Sequence, residues 1–266
     1  KLKKEFIRLG YNPVIMGFSE IDFGQMNFRN EVVLYTSIED KNLVYKSYIE
    51  DIIRGIFLQG EIIIPHFDIL RANHNKVFME ILRSVYNLGN NITSRYYGSL
   101  KELESNINDI TYPVVIKKST GSGSNGVLLA DNKEKLIKKA KKAFNTYQWK
   151  YVLIENLLLL KKVFTNKGKF KTEKLHRQKA IFQNFIPFLE GDFKVLIYFD
   201  KYYIFERPNK KNDFRASGSG TSKYLYGTDA NIPDGIFDYS KKIYDKLNVP
   251  NLSLDIAYSK ETFYLI

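Results

Sequence analysis

The segment Val114-Val115-Ile116-Lys117-Lys118-Ser119-Thr120-Gly121-Ser122-Gly123-Ser124-Asn125-Gly126-Val127 has the make-up of an anion site. An apolar run reads as a strand, a lysine closes it, and a turn rich in Gly and Ser follows. Glycines carry no Cβ, so such a loop can turn its backbone N–H groups toward phosphate oxygens, with Lys117 as a cation beside them. Gly121 and Gly126 have the spacing of the two P-loop glycines. Val127-Leu128, however, stands where Lys-Ser/Thr is required, and a strand follows rather than a helix, which excludes that motif. An ordinary hairpin turn would account for the glycines but not for the lysine directly before them.

Two more glycine-bearing segments have related chemistry. In Asn212-Asp213-Phe214-Arg215-Ala216-Ser217-Gly218-Ser219-Gly220 an arginine precedes a Gly/Ser loop, a combination that can hold an anion bidentately while amides close over it. Leu189-Glu190-Gly191-Asp192-Phe193-Lys194 sets acids and a cation around one glycine. Read alone, each is as well explained by a surface turn. His66, His74 and His176 show neither metal-ligand spacing nor clustering with acids. No Gly-x-Ser-x-Gly elbow occurs, and zero cysteines exclude thiolate nucleophiles, disulfides and cysteine-based metal sites.

The elements that position these residues follow from hydrophobic period and punctuation. Strands are expected at Glu31–Tyr35 and Glu61–Ile64, with a helix near Leu43–Phe57 between them. A helix beginning near Asn73 should bury Val77, Phe78, Ile81, Leu82 and Val85. Ser99-Leu100-Lys101-Glu102 and Asp131-Asn132-Lys133-Glu134 have capping-box spacing, so each should open a helix. Between them lie strands Tyr112–Lys117 and Gly126–Ala130. Tyr151–Ile154 reads as a strand, and the lysine-rich stretch Leu157–Lys179 contains Asn166-Lys167-Gly168-Lys169, a candidate mobile loop. Strands then dominate: Ala180–Ile186, Phe193–Tyr198, Tyr202–Arg207, Leu252–Ala257 and Thr262–Ile266. One helix interrupts them after Pro233-Asp234. The class is α+β, in three lobes: 1–72, small and α/β; 73–179, with the Gly-rich loop; and 180–266, mostly antiparallel sheet.

Composition agrees with a folded chain, since 266 residues with 44% hydrophobic and 15% aromatic content can bury a sizeable core. No run approaches the ~18 apolar residues of a membrane span, so a soluble, cytoplasmic protein without a membrane partner is expected. Forty-one Lys+Arg against 29 Asp+Glu give a formal +12, a field that favours anionic partners. Much of that charge, as at Lys133, Lys135, Lys138, Lys139, Lys141 and Lys142, equally suits a solvated helix face. Interleaved Tyr and Lys come with no nucleic-acid motif, so nucleic acid is not the expected partner. The chain opens on Lys1 and closes on Phe263-Tyr264-Leu265-Ile266, which reads as a strand cut short and suggests a fragment.

Taken in order, these features resemble the ATP-grasp superfamily, which includes D-alanine ligases, glutathione synthetases and ribosomal-protein glutamate ligases. The resemblance covers roughly Asn73 to Ile266 and implies an ATP-grasp fold that clasps ATP and Mg2+. Carried over residue by residue, Lys76 and Lys117 look like the two nucleotide lysines, and Ser122, Gly123, Ser124 and Gly126 like the lid over the phosphates. Gln183, Asn184, Phe185 and Ile186 resemble the hinge strand that meets adenine through backbone groups, although many relatives have Glu where Asn184 stands. Glu190 or Asp192 would be the ribose-side acid, and Lys194 replaces the arginine of the family's Asp-x-Arg pattern. Arg207 and Arg215 look like the arginines at the γ-phosphate and the developing oxyanion, and Asp255 like a magnesium carboxylate whose usual partners would follow Ile266.

The implied activity is a carboxylate–amine ligase. A substrate carboxylate, small or peptidic, takes the γ-phosphoryl group and an amine attacks the acyl phosphate. A hydroxyl-phosphorylating kinase of the same superfamily is the nearest alternative. A non-catalytic polyanion- or nucleic-acid-binding protein is the alternative of another class.

Overall fold

The computed structural model describes residues 1–38, 40, 43–89, 91–120, 126–144, 157, 177–209, 215 and 224–266. The turn 121–125, the expected strand Tyr151–Ile154 and the expected loop at Asn166–Lys169 lie outside the described residues. Two compact units are formed, Lys1–Arg71 and Ala72–Ile266.

The first unit contains α1 (Leu2–Arg8), β1 (Val32–Leu34), α2 (Val44–Leu58), β2 (Ile62–Ile64) and α3 (Phe67–Ala72). β1 and β2 pair in parallel, with Val33 opposite Ile63. Ile49, Ile53 and Ile56 recur at helical spacing on α2 and are buried with Phe28, Ile63 and Leu70, which fixes α2 against the strands. The Asp40 carboxylate accepts from the N–H groups of Val44 (2.8 Å) and Tyr45 (3.1 Å), satisfying donors that the first turn of α2 leaves open. A buried Lys46–Glu50 pair completes this unit, and the Lys46 ammonium also donates to the Leu70 carbonyl at 3.0 Å.

The second unit holds two four-stranded antiparallel sheets. The first has the order β3-β6-β4-β5, with β3 at Ser94–Ser99, β4 at Val114–Lys118, β5 at Val127–Ala130 and β6 at Arg177–Asn184. Residues 180–184, grouped with the last lobe on sequence, therefore pair between the strands of this sheet, with Ile116 opposite Phe182. Its core face, Val114, Ile116, Ala180 and Phe182, packs on Leu136, Ala140, Ala143 and Phe144 of α6 (Lys133–Phe144) and on Leu100 and Leu103 of α5 (Leu100–Ser105). Ser99 caps α5 by accepting from the Glu102 N–H at 3.2 Å, while Glu102 accepts from Gly98. At α6 the cap is Asn132 rather than Asp131: its Oδ1 accepts from the Lys135 N–H at 2.9 Å.

The other sheet runs β10-β9-β7-β8, from β7 (Gly191–Tyr198), β8 (Lys201–Pro208), β9 (Asn251–Ser259) and β10 (Thr262–Leu265). Phe193, Val195 and Ile197 alternate into a buried face with Leu252, Leu254 and Ile256. Helix α7 (Ile236–Leu247) meets β8 through an edge-to-face contact of Phe237 with Tyr202. Tyr198 pairs with Lys201, so β7 and β8 are joined by the two residues Phe199-Asp200. β9 and β10 turn through Lys260-Glu261, both at positive φ (48° and 58°), the signature of a turn whose twist matches its strands.

Helix α4 (Lys76–Val85) starts three residues later than expected, because Asn75, not Asn73, is its cap: Asn75 Oδ1 accepts from the Phe78 N–H at 3.4 Å. Its buried position is Glu80, while Val85 is 72% exposed. Of the apolar stripe read from sequence, Val77, Phe78, Ile81 and Leu82 are only half-buried and Val85 is exposed.

Candidate functional site

Alternation along β4 sorts its side chains. Val114 and Ile116 enter the core, so Lys117 lies on the opposite face of the sheet, away from α6. Val115 shares that face, and the register adds Gln183 opposite Val115 and Ser94 opposite Gln183. Helix α4 lies against this surface. Glu80, 8% exposed, accepts two hydrogen bonds from Arg83 (Nε 3.0 Å, Nη2 2.5 Å) and one from Gln183 at 3.5 Å. Gln183 and Arg83 both donate to Ser94 Oγ, at 3.2 and 3.0 Å. Arg83 also reaches the carbonyls of Gly89 (3.3 Å) and Ile92 (2.9 Å), tying the loop after α4 to the same network.

The first turn of α4 is pinned to the end of β4. The Lys76 N–H donates to the Ser119 carbonyl at 3.0 Å, and Asn75 Oδ1 accepts from Ser119 Oγ at 3.3 Å and Lys179 Nζ at 3.1 Å. These bonds bring the two sequence-predicted lysines to one place. Burial pushes the Lys76 ammonium below its ordinary value. Burial also pushes Lys117 down to about 8, helped by Lys76 and Arg83 and opposed by Glu80 and Asp255. Two partly buried cations that repel one another are relieved by an anion with several charged oxygens, so the pair fits a polyphosphate.

Gly126 closes the described part of the loop. Its φ of +89° is left-handed, its carbonyl accepts from the Lys118 N–H at 3.1 Å, and a Cβ there would lie 3.0 Å from the Lys118 side chain. Ser122, Gly123 and Ser124 lie outside the described residues.

On the second sheet the register places Asp192 opposite Arg207 and Lys194 opposite Asp255, all on one face. Arg207, 4% exposed, donates from Nε to Asp192 and from Nη2 to Asp255 Oδ1 at 2.8 Å. Lys194 reaches the same Asp255 oxygen at 3.2 Å. Arg207, expected at the γ-phosphate, is thus held between two carboxylates. Asp192, one of two candidates for ribose, is 3% exposed and paired with Arg207, and burial raises its carboxyl to about 6. Glu190, the other candidate, is exposed.

Asp255 keeps a side chain 40% exposed, with one oxygen taken by Lys194 and Arg207. Among the described residues no group of three or more His, Asp or Glu could hold a metal. Magnesium commonly takes one or two carboxylates and completes its shell with phosphate oxygens and water. Asp255 therefore fits a metal held mainly by a nucleotide, not a preformed cage.

At the hinge, the N–H of Asn184 donates to the Thr93 carbonyl (3.0 Å) and that of Phe185 to the Pro113 carbonyl (3.2 Å), so these two of the expected backbone groups are engaged within the protein. Ile186 is buried with Ile92 and Ala257, and Leu189, Tyr264 and Ile266 pack around them, an apolar cluster that fits beside an aromatic ring. Arg215 is half-buried, and its neighbours in sequence lie outside the described residues. Glu80 and Arg83 were not singled out from sequence. The available signal was an acid three residues before an arginine, inside an apolar helical stripe.

Shallow surface depressions elsewhere lie along α6, lined by Lys133, Lys138 and Lys141, on the far side of the sheet from Lys117. No helix among the described residues is long and apolar enough to cross a membrane.

Residues 84–165 match the family described as carbamoyl-phosphate synthase L chain, ATP binding domain. No curated protein sequence is significantly similar to the chain. Among solved structures, the ADP complex of purK, N5-carboxyaminoimidazole ribonucleotide synthetase, superposes with a TM-score of 0.54 at 13% identity, over 83% of this chain and 50% of that one. A RimK domain ATP-grasp protein from Sphaerobacter thermophilus gives 0.53 at 12% identity, over 100% of this chain and 83% of that one. VanG D-Ala:D-Ser ligase from Enterococcus faecalis gives 0.50 at 16% identity, over 80% of this chain and 55% of that one. The chain thus spans half the length of the first of these relatives.

Proposed function

We propose that this chain, a member of the ATP-grasp superfamily, binds Mg·ATP between its two antiparallel sheets and activates a substrate carboxylate as an acyl phosphate for attack by an amine. The observation that carries the reading is the convergence of Lys76 and Lys117, both depressed by burial, at the end of β4 beside a glycine-bearing loop. Lys76 and Lys117 take the phosphates, and Gly126 is the closing hinge of the loop over them. Ile186 and its apolar neighbours take the base, and Glu190 meets the ribose. Asp255, held by Arg207 and Lys194, takes the magnesium ion that accompanies the nucleotide. When bound, that metal offsets charge on the phosphoryl oxygens.

Catalysis on this reading is positional and electrostatic. Fixed cations face the oxygens on which charge builds, and Arg215 offsets the oxyanion formed when the nucleophile adds. The Gly-rich loop, as the lid that the family resemblance implies, would exclude the water that hydrolyses an acyl phosphate. The printed names of the three relatives describe a synthetase, an ATP-grasp protein and a ligase, which suits a C–N ligase acting on small-molecule or peptide carboxylates, in a protein expected to be cytoplasmic.

The test is ADP release by the purified protein over a panel of amino acids, short peptides and acidic sugars, with hydroxylamine present. Hydroxamate formation matched to ADP release is expected. ADP release with a phosphorylated hydroxyl product and no hydroxamate would make the protein a kinase. Salt-sensitive binding to generic polyanions without nucleotide binding would overturn the enzyme reading.

A further inference from the structure

A negative charge is built into the cation face of the first sheet. Glu80 is the one buried residue of α4, and it lies on the same surface as Lys117, where a polyphosphate should prefer no carboxylate. It is not a stray surface acid. Arg83 holds it by two nitrogens, Gln183 donates to its other oxygen, and Ser94 joins Gln183 to Arg83. The network spans α4, β3 and β6, three elements around the strand that ends in Lys117.

We propose that Glu80 is a positioning residue for the nucleotide site: a carboxylate locked by Arg83 and Gln183 on the sheet face that carries Lys117, where it favours the charged form of that lysine before nucleotide arrives. A buried lysine with no ion pair among the described residues would otherwise give up its proton to escape the cost of desolvation. The charged groups that act on Lys117 come from three elements. Lys76 and Arg83 on α4 disfavour its charge, and Glu80 on α4 and Asp255 on β9 favour it. Both carboxylates are paired, Asp255 with Arg207 and Lys194 and Glu80 with Arg83, and of the two Glu80 acts more strongly on Lys117. Arg83 holds Glu80 in place through two nitrogens, and at the same time limits how strongly it pulls on Lys117. Glu80 would then supply a prepared cation without forming a closed pair that phosphate has to break.

The inference rests on the nucleotide reading for its purpose but not for its test, which is run without nucleotide. The fraction of Lys117 acylated by a short pulse of acetic anhydride is followed against pH by mass spectrometry of the Lys117 peptide, in the unmodified protein and in two variants. Glu80→Gln keeps the shape and removes the charge, and should move the Lys117 midpoint down by about one pH unit, a tenfold change in proton affinity. Arg83→Met removes the competing cation and should move it up. Opposite shifts in two folded variants support the proposal. Unchanged midpoints, or shifts in the same direction, overturn it. Should either variant fail to fold, the sign of the other still decides.

A second measurement separates the two readings. At pH 8, Glu80→Gln should lose roughly fivefold in ATP affinity relative to adenosine affinity, and below pH 6.5 the loss should vanish. If neither protein binds ATP, the nucleotide reading fails while the Lys117 midpoints still test Glu80. If ATP binds and the two variants leave the midpoints unmoved, Glu80 fails and the nucleotide reading stands.

Discussion

The two sheets of the second unit both carry charge on one face, but they settle it differently. On the first sheet Lys117 has no ion pair among the described residues, and burial lowers its affinity for a proton. On the second sheet Arg207, Asp192, Asp255 and Lys194 satisfy one another within a cross-strand square. An under-compensated cation is a place for a ligand, whereas a compensated square is a place for rigidity. On the proposed reading the difference points to Lys117 for recognition, while Arg207 fixes the position of Asp255.

The strongest break of this contrast is Arg207→Ala. It strands the buried Asp192 and should cost about 3–5 kcal/mol of stability, the loss expected when one partner of a buried pair is removed. Urea denaturation measures it. A change below about 1 kcal/mol would mean that the square is no more rigid than a surface pair. Next is Arg215→Ala, which should lower turnover by about 3 kcal/mol of barrier with little change in ATP affinity, as for one oxyanion donor. Equal losses in both would make it a ground-state nucleotide contact.

Lys117→Ala should weaken ATP binding by about 1–3 kcal/mol while leaving the fold intact, the reverse of the Arg207 pattern. Calorimetric titration checks it, and unchanged affinity would remove the central element of the site. The same residue sets a pH signature. Lys117 is protonated below about 8 and loses its proton above it, so ATP affinity should fall as pH rises through that value. Without nucleotide the sign reverses. The unfolded chain keeps its lysine protonated up to the ordinary value, so stability should rise from about pH 8 toward 10.5. The smallest effect is Gly126→Ala, which forces a Cβ onto a left-handed residue and should cost about 1–2 kcal/mol.

What could be read from the sequence follows the range of the forces involved. Val114–Lys117 followed by glycines is a local pattern, and alternation alone puts Lys117 opposite the core. Asp255 between Leu254 and Ile256 is legible for the same reason. Glu80 was hidden because helical period treats every position on one stripe as apolar, and the partner that reverses this, Gln183, is 103 residues away. Which backbone groups of the hinge are already engaged was not legible, because the acceptors of Asn184 and Phe185, the carbonyls of Thr93 and Pro113, are set by tertiary packing. Asp192 and Arg207 could have been paired: a two-residue turn at Phe199-Asp200 fixes the whole ladder, and their numbers place them opposite one another.

That turn also constrains how relatives of this chain can diverge. Phe199 is 68% exposed, so substitutions there meet little resistance from packing. A single-residue insertion that displaced β8 against β7 would send alternate side chains to the other side of the sheet. Arg207 would then leave Asp192 and Asp255, and a buried acid and a half-exposed one would lose their shared anchor together. Homologous sequences that retain all three residues should therefore vary freely in the chemistry of this hairpin's tip, and hardly at all in its length.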